Sequence, residues 1–513
     1  MAMRRWLAAL GALLSMLAVA ACGGGGADGA DPKDAKLRAA WTVGAKTLDP
    51  HMQSSEIVGD RFGLFSLYDR LFTVKADGSI GPMLATKWSY GEDGETLRIK
   101  LREDATFHDG TVLDADVVKA NLDRARTLDS PVVKGRMSVV KSVEVTGKFS
   151  VTLSLSENTS VVPYALAEAS GMMMNPKLFK DGDPAKKADG TTPYSVESFD
   201  PGRKLVLVRD RDDYWDPKAW KIKRIEHSQI SDFNAMSNAM RAGQIDVGQF
   251  QPNQVSSLEG VPGLEIVKVP QGQGFDIALN YDVPPLNDIR VRQAVNHALD
   301  RQAIVKVFYP GSVPKYQYYR EGTPGYDPAL EGAYAHDPAK AKELLASAGF
   351  PNGVDLGTML VDTSNLPGVL DVVKEQLGAA GITFEARVIE PLQSFERWAQ
   401  GKDAARILSV TMGTSPVIGA QENWRTGTRN AARTTPEFER LFEAAAKIGL
   451  SRDEADATAR KLNAYVVEQA WRAPIVWQNP AYVLSDKIKG FSADLDFATT
   501  QGPYDWRYLT TTG

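Results

Sequence analysis

The chain has 513 residues, with 59 Lys plus Arg, 64 Asp plus Glu and a single cysteine. At roughly 150 residues per domain that length holds two to four domains, and 43% apolar with 24% charged residues is the composition of a globular body with ample core. A net charge of −5 leaves no basic footprint for nucleic acid, and one cysteine excludes an internal disulfide framework, a CxxC redox pair and a cysteine-based zinc cluster.

The cysteine stands at the end of an address. Arg4 and Arg5 precede an uncharged, Leu- and Ala-rich run from Trp6 to Ala21. A stable span needs about 20 apolar residues, so this run reads as the h-region of an export signal. It ends in Val19-Ala20-Ala21-Cys22, followed by four glycines. That sequence resembles a bacterial lipobox, in which the thiol is diacylated and the chain is cut before the cysteine. The resemblance implies a signal peptide over 1–21, lipidation (palmitate included) at Cys22 and a flexible tether over 22–36, because two or more acyl chains hold a protein at a membrane where one does not.

The body opens with strand signals. Leu97, Ile99 and Leu101 alternate with Arg98 and Lys100, and Val151, Leu153 and Leu155 alternate with Thr152 and Ser154, which predicts half-buried strands. Leu205 to Val208 predicts a more buried strand, and Asp93-Gly94 and Asp109-Gly110 predict turns. After residue 280 helices dominate. Asp288 caps a run bearing Val291, Val295, Ala298 and Leu299. Asp337-Pro338 starts another that carries Leu344, Leu345 and Ala348 and stops at Gly349. A third runs from about Pro367 to before Gly381, with strand 382–386 after it, and further helices are predicted over 437–448 and 453–470. Helix followed by strand at this spacing predicts an α/β body.

The search for chemistry is negative. His51, His108, His227, His297 and His336 have no metal-ligand spacing, and His108-Asp109 shapes a turn. Ser138-x-x-Lys141 and Ser312-x-x-Lys315 lack the helix and the companion motifs of serine acylases. There is no nucleophile elbow and no phosphate loop, and Gly272-Gln273-Gly274 lacks the rest of a dinucleotide fingerprint. The cluster Arg209-Asp210-Arg211-Asp212-Asp213 reads as a solvated loop. No catalytic residue, metal site or cofactor is assigned, and the balance moves toward a binding protein.

Several ordered motifs then point one way. They are Thr47-Leu48-Asp49-Pro50, Tyr68-Asp69-Arg70-Leu71-Phe72, the run from Gly81 to Trp88, Phe107-His108-Asp109-Gly110, Tyr214-Trp215 and Gly243-Gln244-Ile245-Asp246-Val247. After these come the block from Pro284 to Ala294, the run from Asp337 to Leu345, Ala348-Gly349-Phe350-Pro351-Asn352-Gly353 and Pro474-Ile475-Val476-Trp477. Over residues 40 to 510 the chain resembles the family 5 solute-binding proteins of ABC importers, the oligopeptide, dipeptide and nickel type.

That resemblance implies an α/β, two-lobed periplasmic-binding-protein clamshell of type II. Lobe I comprises 37–72, 191–278 and 484–513, with an inserted sub-domain over 73–190, and lobe II is 279–483. It implies a monomer that closes on a small-molecule or peptide ligand, docks on ABC permease subunits served by a cytoplasmic ATPase, and sits on the outer face of the cytoplasmic membrane, on the periplasmic side in a Gram-negative cell. Two departures matter. Thr192 stands where members often have glycine. The stretch Leu408 to Pro416 has no carboxylate where peptide-binding members carry an amine-anchoring aspartate. The ligand is therefore peptide-like, or alternatively a metal chelate, an opine or a sugar-like solute, and a sensory or chaperone module on the same fold stays open. The expected cleft residues are Ser54, Ser55, Met412, Trp424, Arg425, Arg429, Asn430, Tyr504 and Trp506. Arginine suits a carboxylate and tryptophan a stacked face.

Overall fold

The computed structural model describes residues 35–52, 58–75, 79–268, 273–362, 368–410, 415–425, 429–491 and 506–512. The signal run, Cys22 and most of the tether lie outside these residues, as do Ser54, Ser55, Met412 and Tyr504.

Two mixed sheets organise the chain. The first has seven strands in the order Leu264–Lys268, Ala481–Ser485, Val247–Phe250, Lys36–Trp41, Arg224–Gln229, Lys204–Arg209 and Tyr194–Asp200. Lys36–Trp41 runs parallel to both of its neighbours. The second has six, in the order Val313–Pro314, Arg472–Gln478, Gln273–Leu279, Ala405–Val410, Val354–Asp362 and Ile382–Ile389. The last three are mutually parallel where they pair, and Gln273–Leu279 runs antiparallel to both of its neighbours. The chain passes from the first sheet to the second between Lys268 and Gln273, and returns between Gln478 and Ala481. Both passages precede the boundaries expected at 278 and 483, because Gln273–Leu279 pairs with the second sheet and Ala481–Ser485 with the first.

The insertion carries its own antiparallel sheet, ordered Ala85–Tyr90, Thr96–Leu101, Ser150–Leu155 and Val140–Gly147. The two alternating patterns fall in its two central strands, each with the apolar side buried. Helix Ala115–Thr127 packs on it, started by Asp114, whose side chain accepts from the Val117 amide. Caps follow the predicted chemistry elsewhere. Asp288 accepts from Arg290 N, and Asp337 accepts from Lys340 N with Pro338 in the first turn. Each such cap stabilises its helix by about 1 kcal/mol.

Motif residues turn out to be joints. The Asp69 carboxylate accepts from Thr191 Oγ1 at 2.7 Å, Tyr214 Oη at 2.8 Å and Trp215 Nε1 at 2.9 Å. Asp49 takes both ends of the Arg124 guanidinium, at 2.9 and 2.5 Å, which pins the insertion's helix to the first body. Asp246 holds the Arg38 side chain and backbone amide. Thr192, in place of the familiar glycine, donates to Ser66 O at 2.8 Å and Leu67 O at 3.1 Å, which ties the turn to the preceding helix. The charged run at 209–213 pairs within itself, Arg209 with Asp212 and Arg211 with Asp213.

Candidate functional site

In open α/β sheets, ligands bind beyond the carboxyl ends of parallel strands, where loops diverge. In the second sheet those ends are Asp362, Ile389 and Val410. The antiparallel neighbours begin and finish on the same edge, at Gln273 and Gln478. In the first sheet, Val247–Phe250 ends beside Gln251. The two edges touch there: Gln251 Nε2 donates to Gln273 Oε1 at 3.3 Å, and Gln273 Nε2 donates to Ser409 Oγ at 2.6 Å.

Strand register then sets the chemistry of the second body. Arg472 is opposite Ala278, Ala278 opposite Arg406, and Arg406 opposite Leu360. Residues paired across a sheet share a face, so two arginines flank one small residue, about 10 Å apart across two strand spacings. Both side chains lean toward the carboxyl edge. Arg472 Nη1 reaches Asp276 Oδ2 at 3.4 Å, and Arg406 Nη2 reaches Asp362 Oδ2 at 3.2 Å. Lys315 Nζ donates to the other Asp276 oxygen at 2.7 Å and lies 4.1 Å from the centre of the Trp477 ring. Arg429 Nη1 donates to Ser409 O at 3.2 Å, and its own carbonyl accepts from Arg472 Nη2 at 3.3 Å.

These groups are inside the protein. Lys315 and Arg406 are 0% exposed, and Asp276, Arg472, Arg429 and Asp362 are buried with them. Burial pushes the Lys315 ammonium down to about 8, against the pull of Asp276. Burial also lowers Arg472 and Arg406; their carboxylates oppose this, and Arg429 adds like-charge repulsion to both. Among the described residues, Lys315 and Arg472 share the Asp276 carboxylate and Arg406 pairs with Asp362, and desolvating charges in this way costs several kcal/mol per ion before pairing repays it. Arg406 Nε and Nη1 and Arg472 Nε are buried without a hydrogen-bond partner, as are Ser394 Oγ and Trp398 Nε1 on helix Pro391–Trp398. That helix covers the Arg406 face: the Phe395 ring lies 3.9 Å from the Arg406 guanidinium, and Trp398 packs with Ala278, Leu360, Leu408 and Val410. Behind Arg472 is a cavity of about 20 Å³ lined by Asp276, Tyr316, Tyr318 and Trp424. It has room for about one water and none for a solute.

Of the expected cleft residues, Trp424 and Arg429 come to this cluster. The Arg472 guanidinium lies 4.3 Å from the Trp424 ring, which also packs on Trp471 and Tyr318. Arg425 points the other way, to Glu439 at 2.9 Å and Glu157 of the insertion at 3.3 Å. The Asn430 amide is spent on Tyr281 Oη, Trp424 O and Ala432 O. Trp506 lies in the first body's core, against Phe62, Trp41 and His227. Lys315 pairs with Asp276 and not with Ser312. The residues that motif reading passed over are Asp276, Lys315, Arg406 and Arg472. Three of them carried a signal, a lone charge inside an apolar strand: Phe275-Asp276-Ile277, Ala405-Arg406-Ile407 and Trp471-Arg472-Ala473.

The sequence profile of the bacterial extracellular solute-binding proteins, family 5, matches residues 79–432. The glutathione-binding protein GsiB of Salmonella paratyphi A is 30% identical over 66% of this chain and 66% of its own, just under two thirds of that relative's length. The Shigella flexneri protein of the same name is 27% identical over 85% and 86%. Among solved structures, the fold is similar to AgaA of A. tumefaciens in complex with agropinic acid, with TM-score 0.84, 20% identity and 93% and 99% of the two chains covered. It is also similar to DppA of Helicobacter pylori in complex with the peptide STSA, with TM-score 0.81, 22% identity and 93% and 98% covered. The two bodies around the two sheets are therefore the two lobes of a type II periplasmic-binding-protein fold.

Proposed function

The chain belongs to family 5 of the bacterial extracellular solute-binding proteins, and from that premise we propose that it is the receptor of an ABC importer. It captures a peptide or peptide-like solute where the carboxyl edges of its two sheets meet, and passes it unchanged to the permease, whose cytoplasmic ATPase drives import. The observation that carries this reading is the convergence of Gln251, Gln273, Ser409 and the buried arginine cluster at that meeting point. The similarity to glutathione-binding proteins supports a peptide-type solute. The protein is exported, lipidated at Cys22 and held by a glycine-rich tether on the outer face of the membrane, where it works as a monomer.

One observation favours a second reading, an anionic non-peptide solute of the opine kind. The segment 408–416 supplies no carboxylate for an α-amine, and a buried ammonium without a counter-charge is costly. Native mass spectrometry of the protein purified from its own host tests both. A retained peptide supports the first reading and a retained opine-like acid the second, while a chain that retains and binds no solute contradicts the receptor role.

A further inference from the structure

We propose that the cavity behind Arg472 is a binding site for one buried water molecule, which accepts from Arg472 Nε and donates to the Asp276 carboxylate. The site lies inside the second lobe, and its lining shares no residue with the Gln251, Gln273 and Ser409 contacts where the sheet edges meet.

Three observations converge on it. The first is size and lining. The cavity measures about 20 Å³, and Asp276 and Arg472 stand in its wall beside Tyr316, Tyr318, Tyr334 and Trp424. A space of that volume with charged groups in its wall takes about one water. The second is an unspent donor. Arg472 is 5% exposed, and both of its terminal nitrogens are occupied, Nη1 by Asn423 Oδ1 at 3.0 Å and Nη2 by Asn423 O at 3.0 Å. Its Nε is buried with no protein partner, although nearly every buried N–H group has one. The third is unspent acceptor capacity. Arg472 Nη1 meets Asp276 Oδ2 at 3.4 Å, longer than the about 2.7–2.9 Å of a close charge-assisted hydrogen bond. Lys315 takes Oδ1 at 2.7 Å, and a carboxylate offers about four lone-pair sites. The occupant therefore accepts from a guanidinium and donates to a carboxylate within one small space. A monatomic anion would face Asp276 and a metal cation would face Arg472, whereas water serves both. It completes the hydrogen bonding of the arginine that fixes the Asn423 side chain and carbonyl and, at 3.3 Å, the Arg429 carbonyl.

The test is high-resolution crystallography of the full chain in three conditions: native, pressurised with xenon, and with bromide in place of chloride. The native map should show one fully occupied, water-sized peak within about 2.7–3.2 Å of both Arg472 Nε and an Asp276 oxygen. Xenon should leave that peak unchanged, and no anomalous bromide signal should appear there. Dry apolar cavities take up xenon, so xenon in this cavity, or no peak there at all, overturns the inference. Bromide at the site overturns it as well, because the occupant is then an anion.

Discussion

The insertion and the second lobe are joined by an ion pair whose removal should open the molecule. Arg136 Nη2 meets Glu422 Oε1 at 2.5 Å, and the two residues are 7% and 9% exposed although 286 positions apart. Neighbouring contacts are Ser160 N to Ala446 O at 2.8 Å, Ile448 N to Asn158 Oδ1 at 3.0 Å, and the half-buried Arg425–Glu157 pair at 3.3 Å. Removing one charge of a buried pair costs about 3–5 kcal/mol, because the other charge stays desolvated. In Glu422→Gln that cost falls on the closed arrangement, since opening returns Arg136 to water. At 1.4 kcal/mol per factor of ten, the ratio of open to closed molecules should rise by about 100-fold or more. Glu157→Gln should change it less than about fivefold, because that pair is partly solvated and Arg425 keeps Glu439. The chain's one cysteine makes the assay clean. In a Cys22→Ser background, spin labels at Asp129→Cys and Glu443→Cys, both exposed and one on each side of the contact, report the separation by pulsed dipolar spectroscopy. A long-distance population that appears in E422Q and not in E157Q is expected. Equal effects of the two, or a lower melting temperature in E422Q with the distance distribution unchanged, would refute the reasoning.

Three further perturbations follow from buried charge and hydrogen bonding. Asp276→Asn leaves Lys315 and Arg472 with no carboxylate between them and should destabilise the second lobe by about 3–5 kcal/mol, with part recovered in D276N/K315M; thermal melts read both. Burial holds His227 and His51 down to about 4, below the ordinary value near 6.5, so each supports the fold fully above pH 6.5 and loses that contribution as pH falls toward 4. For each the loss is about 3 kcal/mol. His227→Leu should flatten the fall of the denaturant midpoint between pH 7 and 4 by its share of about 3 kcal/mol, and an unchanged slope would contradict the assignment. Asp69→Ala strands the Thr191, Tyr214 and Trp215 donors at once and should cost at least about 3 kcal/mol, visible in the melting temperature and in the near-ultraviolet circular dichroism of the two aromatics.

Local elements were legible because their chemistry is local. Alternation placed Thr96–Leu101 and Ser150–Leu155, and Asp288 and Asp337 announced their helices through side-chain caps. The crossings between sheets were less legible, because an apolar strand such as Gln273–Leu279 reads the same whichever sheet it pairs with, and only long-range pairing decides. The arginine cluster stayed hidden for a related reason. Arg406 and Arg472 are 66 positions apart in sequence and become neighbours across Ala278 only through register. Asp69 drew notice as part of a motif, while its role as the acceptor joining residues 191, 214 and 215 needed three segments brought together.

The central claim is a receptor that closes on a solute and releases it unaltered. Small-angle X-ray scattering of the purified chain, with and without the solute recovered from it, tests this most directly when the solute is re-analysed by mass spectrometry afterwards. The account predicts a smaller radius of gyration on binding and full recovery of the same molecule. Scattering that does not change on saturation, or a solute returned chemically converted, would contradict it.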